Sequence, residues 1–341
     1  MSDASTPLTG RTGWIISDGK AGNDVQSRAV FEALGLDVTI KSVWPQGWHK
    51  TLSPWLGVAR AERFGAAGSL FQPPWPDFAV SIGRLTTPYI RELKRQAGAK
   101  TFTIILLDPK VSLKTADLFW VPEHDTLRGP NVITTLTTPH SFTKRRLSQL
   151  RERVPDAIAS LPRPRVAVML GGSNGDYVYS PAACERLAAA LRALGSNGAG
   201  LMITPSRRTE AAIVETARKA TEGMPRIFWD MTGPNPYPDF FAHADAFVAP
   251  ADSVNMTSEP CATGKPVYVF YPDGGSAKFK RFHEALQRTG ATRPLPAGLS
   301  RIEAWSYAPL NSAETIAQQI QERWQAKFPV PVSLLSQRGE G

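Results

Sequence analysis

The chain has 341 residues, of which 42% are hydrophobic and 20% are charged, a balance that is typical of globular proteins and excludes a disordered chain. The length suits two domains of about 150 residues each, and no apolar run approaches the roughly 20 residues that a membrane-spanning helix needs. The formal net charge of +9 is spread over several clusters, which favours a polyanionic ligand or an anionic membrane surface over nucleic acid, because no motif of a DNA or RNA reader is present.

Strands and helices alternate through the first half of the chain. Residues 1–13 are polar and lack the apolar core of a secretory signal, so we expect a disordered lead-in there. The apolar and β-branched run Thr101–Leu107 is typical of a central strand covered on both faces. The segment 46–76, rich in proline and tryptophan, matches neither pattern. The other predicted elements are strands 14–16, 38–43, 77–82, 118–121 and 132–135 and helices 24–34 and 87–96.

The second half of the chain begins after a break. Residues 142–160 are charged and predicted to be helical, and Leu161–Arg165 is a connector punctuated by prolines. The alternation then restarts, with strands 166–170, 201–204, 227–229, 246–248 and 267–270 and helices 181–194, 209–221, 238–243, 254–263, 279–289 and 313–328.

This alternation predicts the fold class α/β, with two doubly wound, Rossmann-like domains facing a cleft. The predicted organisation is a lead-in, an N-terminal domain, a linker, a C-terminal domain and a last helix, with the bounds 1–13, 14–145, 146–165, 166–311 and 312–328. Ligands of such sheets bind at the carboxyl ends of the strands, so the motifs that follow strands are the candidate sites.

The first such motif is the turn Asp18–Asp24, between a strand and a helix. Its glycines allow a sharp turn and a close approach to a ligand, and free N–H groups at the helix start favour an anion. Asn23 or Asp24 is expected to cap the helix. The turn either holds an acceptor or closes over a diphosphate, or it is a tight turn with a solvated lysine, since the GxxxxGK[ST] spacing is missing.

The second motif is the turn Gly171-Gly172-Ser173-Asn174, where Ser180 and Pro181 open the next helix. Gly171 and Gly172 let backbone amides point at a phosphate, and the Ser173 and Asn174 side chains add donors. After the next strand, Ser206 and Arg207 place a hydroxyl and a guanidinium where they suit phosphate binding. An ordinary helix cap with exposed arginines is the alternative.

The third motif is Asp252–Pro260, which follows strand 246–248. Asp252 or Ser253 is expected to cap the helix, and Ser253, Met256 and Ser258 are predicted to contact the ligand. The Glu259 carboxylate is suited to accept two ribose hydroxyls, unless it is a surface glutamate beside a simple cap. Lys278, at the start of a later helix, either covers the donor phosphates or belongs to a basic helix face.

The fourth motif is Pro122-Glu123-His124-Asp125, which also follows a strand. His124 is the candidate general base near neutral pH, and Asp18 and Asp125 are the other candidate catalytic residues. Consecutive side chains cannot all point at one ion, so we predict no metal site. A His–Asp pair that fixes the loop is an equally good interpretation.

Together these motifs resemble the mitochondrial fission protein family of plants and its bacterial relatives, over nearly the whole chain. The C-terminal half is also similar to GT-B glycosyltransferases such as the lipid-linked N-acetylglucosaminyl transferase of peptidoglycan synthesis. The matching motifs are Asp18-Gly19-Lys20-Ala21-Gly22 with Gln26, Pro122–Asp125, Gly171–Asn174, Pro205–Thr209, and Asp252–Glu259 with Gly264–Val267.

The resemblance implies a GT-B-like fold in which the N-terminal domain takes the acceptor and the C-terminal domain binds a nucleotide sugar. It implies that the Gly-Gly-Ser turn holds the diphosphate, that Glu259 holds the ribose, and that the last helix crosses back onto the N-terminal domain. One difference concerns catalysis, because this chain has Asn23-Asp24 where the family often has His-Glu. A short-chain epimerase is excluded, because it needs a GxxGxxG turn and a Tyr-x-x-x-Lys pair.

Two functions remain open at the level of the sequence. One is a metal-independent glycosyltransferase of the hexosyl type, with a nucleoside-diphosphate sugar as donor substrate and no cofactor. The other is a non-catalytic scaffold of the mitochondrial fission type that binds a partner protein or a membrane surface. Cys184 and Cys261 lie far apart and suit reduced thiols, so we expect a cytoplasmic protein that is peripheral to the inner membrane.

Overall fold

The computed structural model describes residues 8–299 and 301–328. The chain folds into two compact units. Unit 1 comprises the chain up to Thr135, Pro139–Ser141 and the chain from Ser312 onward, whereas unit 2 comprises Leu136–Thr138 and Phe142–Asn311.

The first elements of unit 1 follow the predicted alternation closely. In chain order they are β1 (Thr12–Ser17), α1 (Ala21–Leu34), β2 (Asp37–Ser42), α2 (Gly47–Thr51), β3 (Phe78–Ile82), α3 (Thr87–Ala97), β4 (Phe102–Leu106), β5 (Leu118–Pro122) and β6 (Val132–Thr135). Their strands form one parallel sheet in the order β2-β1-β3-β4-β5-β6. The order reverses between β1 and β3.

The sheet of unit 1 is buried on both faces, which explains why its strands read as continuous apolar runs. In β4, Phe102, Ile104 and Leu106 belong to one core cluster and Ile105 to the cluster on the opposite face. Side chains of a strand alternate between faces, so each face requires its own apolar set.

Unit 2 begins with two short helices. Its elements are α4 (Lys144–Arg151), α5 (Asp156–Ala159), β7 (Arg165–Leu170), β8 (Tyr177–Val178), α6 (Pro181–Ser196), β9 (Gly200–Pro205), α7 (Ala211–Ala220), β10 (Arg226–Phe228), α8 (Tyr237–His243), β11 (Ala246–Pro250), α9 (Val254–Ser258), β12 (Val267–Phe270), β13 (Asp273–Gly274), α10 (Ala277–Arg288) and β14 (Thr292–Pro294). The main sheet is parallel, in the order β10-β9-β7-β11-β12-β14, and β8 pairs with β13 in a small antiparallel sheet.

Two predicted helices of this half are interrupted at prolines. A single helix over 142–160 is wrong, because α4 ends and α5 begins after Pro155, which has no N–H to donate and disfavours helical backbone before it. The helix predicted at 254–263 is α-helical only to Ser258 and continues as a 3₁₀ turn that contains Pro260.

The last helix, α11 (Ser312–Lys327), packs within unit 1. Its Ile316, Ile320 and Trp324 are buried in the same core cluster as Phe78 of β3, and the Trp324 and Phe78 rings lie 5.7 Å apart between centroids. The Lys327 ammonium lies 3.0 Å from the Asp117 carboxylate. Among the described residues, no helix is both long and apolar enough to cross a bilayer.

Candidate functional site

The Gly171–Asn174 turn lies where the sheet of unit 2 changes direction. The chain leaves β7 for β9 on one side of it, and β11 pairs with β7 on the other side. The carboxyl ends of two strands at such a reversal flank the crevice where open α/β sheets bind ligands. The loops after β7 and β11 meet there.

Gly171 and Gly172 are required by the close approach of neighbouring loops. A Cβ on Gly171 would lie 1.9 Å from Oδ1 of Asp252, and one on Gly172 would lie 2.2 Å from the carbonyl oxygen of Arg208. A Cβ on Gly175 would meet nothing within 4 Å. The first two glycines therefore allow three loops to pack together, and the third does not take part.

The amides of this turn bind carboxylates of the chain itself. The Gly172 N–H donates to Oδ2 of Asp252 at 3.2 Å, and the Ser173 N–H donates to both Glu210 oxygens, at 3.0 and 3.2 Å. Arg208 lies with its guanidinium 3.8 Å from Oδ2 of Asp252. The turn is thus an anion site, and two acidic side chains occupy it.

The two acids differ in burial. Asp252 is 2% exposed and also accepts a hydrogen bond from the Tyr179 hydroxyl at 2.9 Å; burial raises the pKa of Asp252 and of Tyr179. Glu210 is exposed. Burial raises the pKa of Glu210, but hydrogen bonds from Ser173 outweigh it, and the net pKa is lowered. Asp252 is therefore buried within the loop, whereas the Glu210 carboxylate is bonded to the turn at the surface of unit 2.

The side chains of Ser173 and Asn174 build the turn. The Ser173 hydroxyl accepts from the Tyr179 N–H at 3.0 Å, and the Asn174 amide donates to the Asp252 carbonyl at 3.0 Å. The Asn174 contact fixes the turn on the loop after β11, and the Ser173 contact fixes it on the segment before α6.

Ser206 and Arg207 differ in their placement. The Ser206 hydroxyl bonds that of Thr209 at 2.9 Å, and Thr209 donates to the Leu170 carbonyl at 2.8 Å, which fastens this loop to the end of β7. Arg207 is exposed. Arg208, which the sequence analysis did not select, is the arginine beside Asp252, because it directly precedes the Thr209 anchor.

The helix after β11 is capped as expected by Ser253, whose hydroxyl accepts from the Met256 N–H at 3.3 Å. Ser258 is fully buried and accepts from the Thr138 N–H at 3.3 Å. Met256 is half-buried against an apolar cluster. Ser253 and Ser258 are thus engaged in holding the backbone of unit 2.

Glu259 is half-buried and accepts a hydrogen bond from the Tyr237 hydroxyl. Burial raises the pKa of Glu259 to about 7, although the bond from Tyr237 lowers it, and burial also raises the pKa of Tyr237. The Tyr237 hydroxyl lies 3.4 Å from the sulfur of Met169, two residues before Gly171. The Tyr237–Glu259 pair therefore lies near the carboxyl end of β7.

Lys278 is exposed in the first turn of α10. Beside this helix is a cavity of about 580 Å³, whose lining includes Tyr177, Tyr271, Gly275 and His283. Burial lowers the pKa of His283 to about 4, and one of its ring nitrogens, Nε2, lies 2.9 Å from the Ala251 carbonyl. The carbonyl can only accept, so Nε2 carries the proton of a neutral imidazole.

Asp18, in unit 1, is engaged with its own turn. Its side chain is 4% exposed and lies 2.8 Å from the Lys20 ammonium, and it also accepts from the Asn23 amide at 3.3 Å. The predicted caps Asn23 and Asp24 are wrong, because α1 begins at Ala21 and Lys20 is its N-cap residue without a side-chain bond. Asp24 instead accepts from the Ser17 hydroxyl at 2.5 Å.

His124 and Asp125 form a turn after β5. His124 is 8% exposed, and Arg128 donates to the backbone carbonyl of Asp125 at 2.6 Å. Three strand spacings separate β1 from β5, which is about 14 Å, so Asp18 and His124 lie at different places along the sheet edge. Within the described ranges, no three His, Cys, Asp or Glu side chains group so as to hold a metal ion.

Comparison with known proteins identifies relatives over most of the chain. A family model described as mitochondrial fission ELM1 matches residues 21–324. Mitochondrial fission protein ELM1 of Arabidopsis thaliana is 28% identical over 285 residues, which cover 76% of this chain and 67% of the plant protein. An uncharacterised protein of Rickettsia prowazekii (strain Madrid E) is 33% identical over 159 residues, 45% of each chain.

Solved structures share the fold at low sequence identity. UDP-GlcNAc 2-epimerase of Methanocaldococcus jannaschii has a TM-score of 0.54 at 10% identity, over 91% of this chain and 98% of that one. The same enzyme in complex with UDP-GlcNAc and UDP has a TM-score of 0.53 at 10% identity and the same coverage. These likenesses establish an α/β fold of the GT-B type with two parallel six-stranded sheets.

Proposed function

The chain belongs to the mitochondrial fission ELM1 family, and from that premise we propose that it is a nucleotide-diphosphate-sugar-binding protein of the GT-B type that transfers the sugar to an acceptor hydroxyl without a metal ion. Its donor site is the Gly171–Asn174 turn of unit 2 together with Glu259. A structural neighbour that binds UDP-GlcNAc and UDP is consistent with this choice of ligand.

The bond from the Ser173 N–H to both Glu210 oxygens is the observation on which the proposal rests. A carboxylate held in this way stands in for two oxygens of a phosphate, which has the same charge sign and a similar reach. Glu210 is exposed, so a diphosphate displaces it without unfolding the loop, and Arg208 and Lys278 then neutralise the phosphate charge.

Glu259 is the residue proposed to hold the ribose. Its carboxylate already accepts one hydrogen bond from Tyr237 and has further lone pairs for two hydroxyls. A carboxylate with a pKa of about 7 is only partly ionised at neutral pH, so nucleotide binding is expected to strengthen as the pH rises through 7.

The transfer step requires a base and a stabilised leaving group. The candidate bases from the sequence are His124, Asp18 and Asp125. The acceptor oxygen forms a bond to the anomeric carbon, the bond from that carbon to the phosphate oxygen breaks, and the base takes the acceptor proton. The Ser173 amide, once Glu210 has been displaced from it, stabilises the departing diphosphate, which is the electrostatic part of catalysis.

Calorimetry with UDP and the other common nucleoside diphosphates tests the binding site. We expect a dissociation constant in the micromolar range and a loss of affinity of at least tenfold for Glu259→Ala, since hydrogen bonds to a charged carboxylate contribute about 1.5–3 kcal/mol. Glu215→Ala, on the exposed side of α7, is the matched control and leaves the affinity unchanged. If none of the nucleoside diphosphates produces binding heat, the proposed donor site is wrong.

The second candidate is a non-catalytic scaffold that binds a partner protein or a membrane surface. The occupied amides of the turn support this candidate, because the Gly172 and Ser173 N–H groups already donate to Asp252 and Glu210. The chain also has Asn23-Asp24 where the family often has His-Glu. Nucleotide binding without any transfer of sugar from UDP-sugars to added acceptors would favour the scaffold over the transferase.

A further inference from the structure

One segment of unit 1 exposes large apolar side chains. Trp44, Trp48, Leu52 and Trp55 are 65%, 75%, 44% and 67% exposed, and they are four of the nine exposed large hydrophobic residues in the described part of the chain. We call these four side chains the tryptophan face. Soluble proteins seldom leave such side chains together in water, and a concentrated apolar patch marks an interaction site.

Three side chains of the tryptophan face, those of Trp48, Leu52 and Trp55, lie on successive turns of the backbone. Trp48 and Leu52 are four residues apart in α2 and the turn that ends it, and the Leu52 N–H bonds the Trp48 carbonyl at 2.8 Å. The Trp55 N–H bonds the Leu52 carbonyl at 2.9 Å. Residues at this spacing share one side of a helical segment.

The backbone beneath the tryptophan face is held firmly. The Arg84 guanidinium donates to the Ser53 carbonyl at 3.0 Å, and the Ser53 hydroxyl donates to the Arg84 carbonyl at 2.6 Å. Arg91 donates to the Leu56 carbonyl at 3.0 Å. Ser53 is fully buried, so the segment is anchored through its polar groups while its tryptophans point outward. The exposure is therefore a built feature of this surface.

Positive charge lies beside the tryptophan face. A cavity of about 520 Å³ at the carboxyl ends of β1 and β3 is lined by Trp44, Lys20, Lys50 and Arg84, with Asp18 as the acidic residue in its wall. The Asp18 carboxylate is paired with Lys20 at 2.8 Å, and the partners of the Arg84 guanidinium are uncharged carbonyls. Lys50 and Arg84 thus keep a net positive charge next to exposed indoles.

We propose that the tryptophan face, with Lys50 and Arg84, docks unit 1 onto an anionic phospholipid bilayer. Tryptophan rings favour the headgroup region, where one side of the ring is apolar and the other is wet. Lysine and arginine beside them attract lipid phosphates, and each such cation near the surface adds to binding. This proposal identifies the surface through which the scaffold candidate would bind a membrane. It applies equally to a transferase, because it involves none of the nucleotide-binding residues.

Sedimentation of the full chain with vesicles tests the proposal. We expect it to pellet with vesicles of equal phosphatidylglycerol and phosphatidylcholine, to stay in solution with phosphatidylcholine alone, and to be released by salt at about 0.5 M. Trp48→Ala/Trp55→Ala is expected to lower the partition coefficient about tenfold. Because these side chains are exposed, circular dichroism and the thermal midpoint should match those of the wild type.

Matched single variants distinguish binding through the tryptophan face from a general loss of hydrophobicity or of positive charge. Leu52 and Leu70 are both 44% exposed, so Leu52→Ala should weaken vesicle binding by about threefold while Leu70→Ala does not. Lys50→Gln should weaken it too, whereas Lys100→Gln, at the amino end of β4, should not. Wild-type protein that stays in the supernatant overturns the proposal, as does equal binding by the Leu52 and Leu70 variants.

A small phosphate ligand in the cavity, or a second copy of the chain on the tryptophan face, would give results different from those of a bilayer. If inorganic phosphate at constant ionic strength displaces the protein from vesicles while the double tryptophan variant binds normally, the cavity takes a small phosphate ligand and the bilayer docking is wrong. If sedimentation velocity shows a dimer that Trp48→Ala/Trp55→Ala dissociates, and vesicles do not bind, the face is an interface between two copies. Neither outcome depends on nucleotide binding, so each is distinct from failure of the donor site.

Discussion

The turns after β1 and β7 both lie where the strand order of their sheet reverses, but the two sheets differ in topology and the charges around the two turns differ. In unit 1 the acid of the turn, Asp18, pairs with Lys20 two residues away, and Lys50 and Arg84 line the neighbouring cavity. In unit 2 the amides of the turn bind Asp252 and Glu210, acids that come from two other loops.

We infer that the reversal of strand order sets where a ligand would bind in each sheet, and that the loops decide what charge it would meet. An anion at the edge of unit 1 meets lysine and arginine directly. An anion at the turn of unit 2 must first replace the Glu210 carboxylate, with Arg208 as the nearby cation. We therefore expect changes in the two turns to have unlike effects, and three predictions test this from the largest effect to the smallest.

The largest effect is expected for Gly171→Ala. Its Cβ would lie 1.9 Å from the Asp252 carboxylate, which is buried and cannot move without losing its bonds to Gly172 and Tyr179. Overpacking of this kind costs about 3 kcal/mol of unfolding free energy. Gly175→Ala in the same turn, with open space around it, should stay within about 0.5 kcal/mol of the wild type in urea unfolding.

If both variants unfold at the same urea concentration, then the three loops do not meet rigidly at this turn. The contrast between the two turns, one with amides bonded to acids of its own unit and one beside lysine and arginine, would then lose its structural basis in unit 2.

The sequence predicts most of the fold because the signals for it are local. Thr101–Leu107 reads as a central strand because both faces of β4 are covered, and Ser180-Pro181 opens α6 because a hydroxyl caps the helix and proline suits its first turn. The segment 46–76 resisted assignment because α2 is a single turn whose surroundings are fixed by Arg84 and Arg91, side chains of a distant part of the chain.

The candidate site was predictable in position but not in its bonding. The Gly-Gly-Ser turn after a strand predicts an anion site, and in the structure two of its amides donate to carboxylates of the chain itself. The acids that fill it, Glu210 and Asp252, are 37 and 80 residues from the amides they accept from, and no local pattern reports a pairing at that distance. The Tyr237–Glu259 bond was missed for the same reason, since α8 and the turn after α9 meet only in the folded unit.

The second largest effect is expected for Glu259→Gln, which changes how the stability of unit 2 depends on pH. Glu259 has a pKa of about 7 in the fold and about 4.3 in the unfolded chain. Between these values the native state holds a proton that the unfolded state has lost, so its contribution makes stability fall as the pH rises from 4.5 to 7. Glu259→Gln keeps an acceptor for Tyr237 and removes this loss. The whole shift would correspond to about 3.7 kcal/mol, but Glu259 is only half-buried and solvent screens its charge. We therefore expect the variant to gain about 2 kcal/mol relative to the wild type over that range.

Urea unfolding at pH 5 and pH 8 measures the gain. Glu215→Gln is the exposed control, and its difference in stability from the wild type should not change with pH. A wild-type protein and a Glu259→Gln variant with parallel pH profiles would mean that Glu259 ionises freely in the fold. In that case unit 2 would not hold a proton on a buried acid near its turn.

The smallest effect, and the one that bears most directly on function, is expected for Glu210→Ala. Removing the carboxylate frees the Ser173 N–H from the anion it holds at 3.0 Å, so a nucleoside diphosphate no longer competes with the chain for that donor. A screened, exposed charge-assisted bond contributes about 1.4 kcal/mol, which predicts about tenfold tighter binding of UDP by calorimetry. Glu215→Ala and Asp18→Ala should leave the affinity as it is. Tighter binding for Glu210→Ala with weaker binding for Glu259→Ala would mean that one acid of unit 2 blocks the donor site while another forms it. An unchanged affinity for Glu210→Ala would instead place any diphosphate elsewhere, and the cationic edge of unit 1 would become the stronger candidate for binding anions.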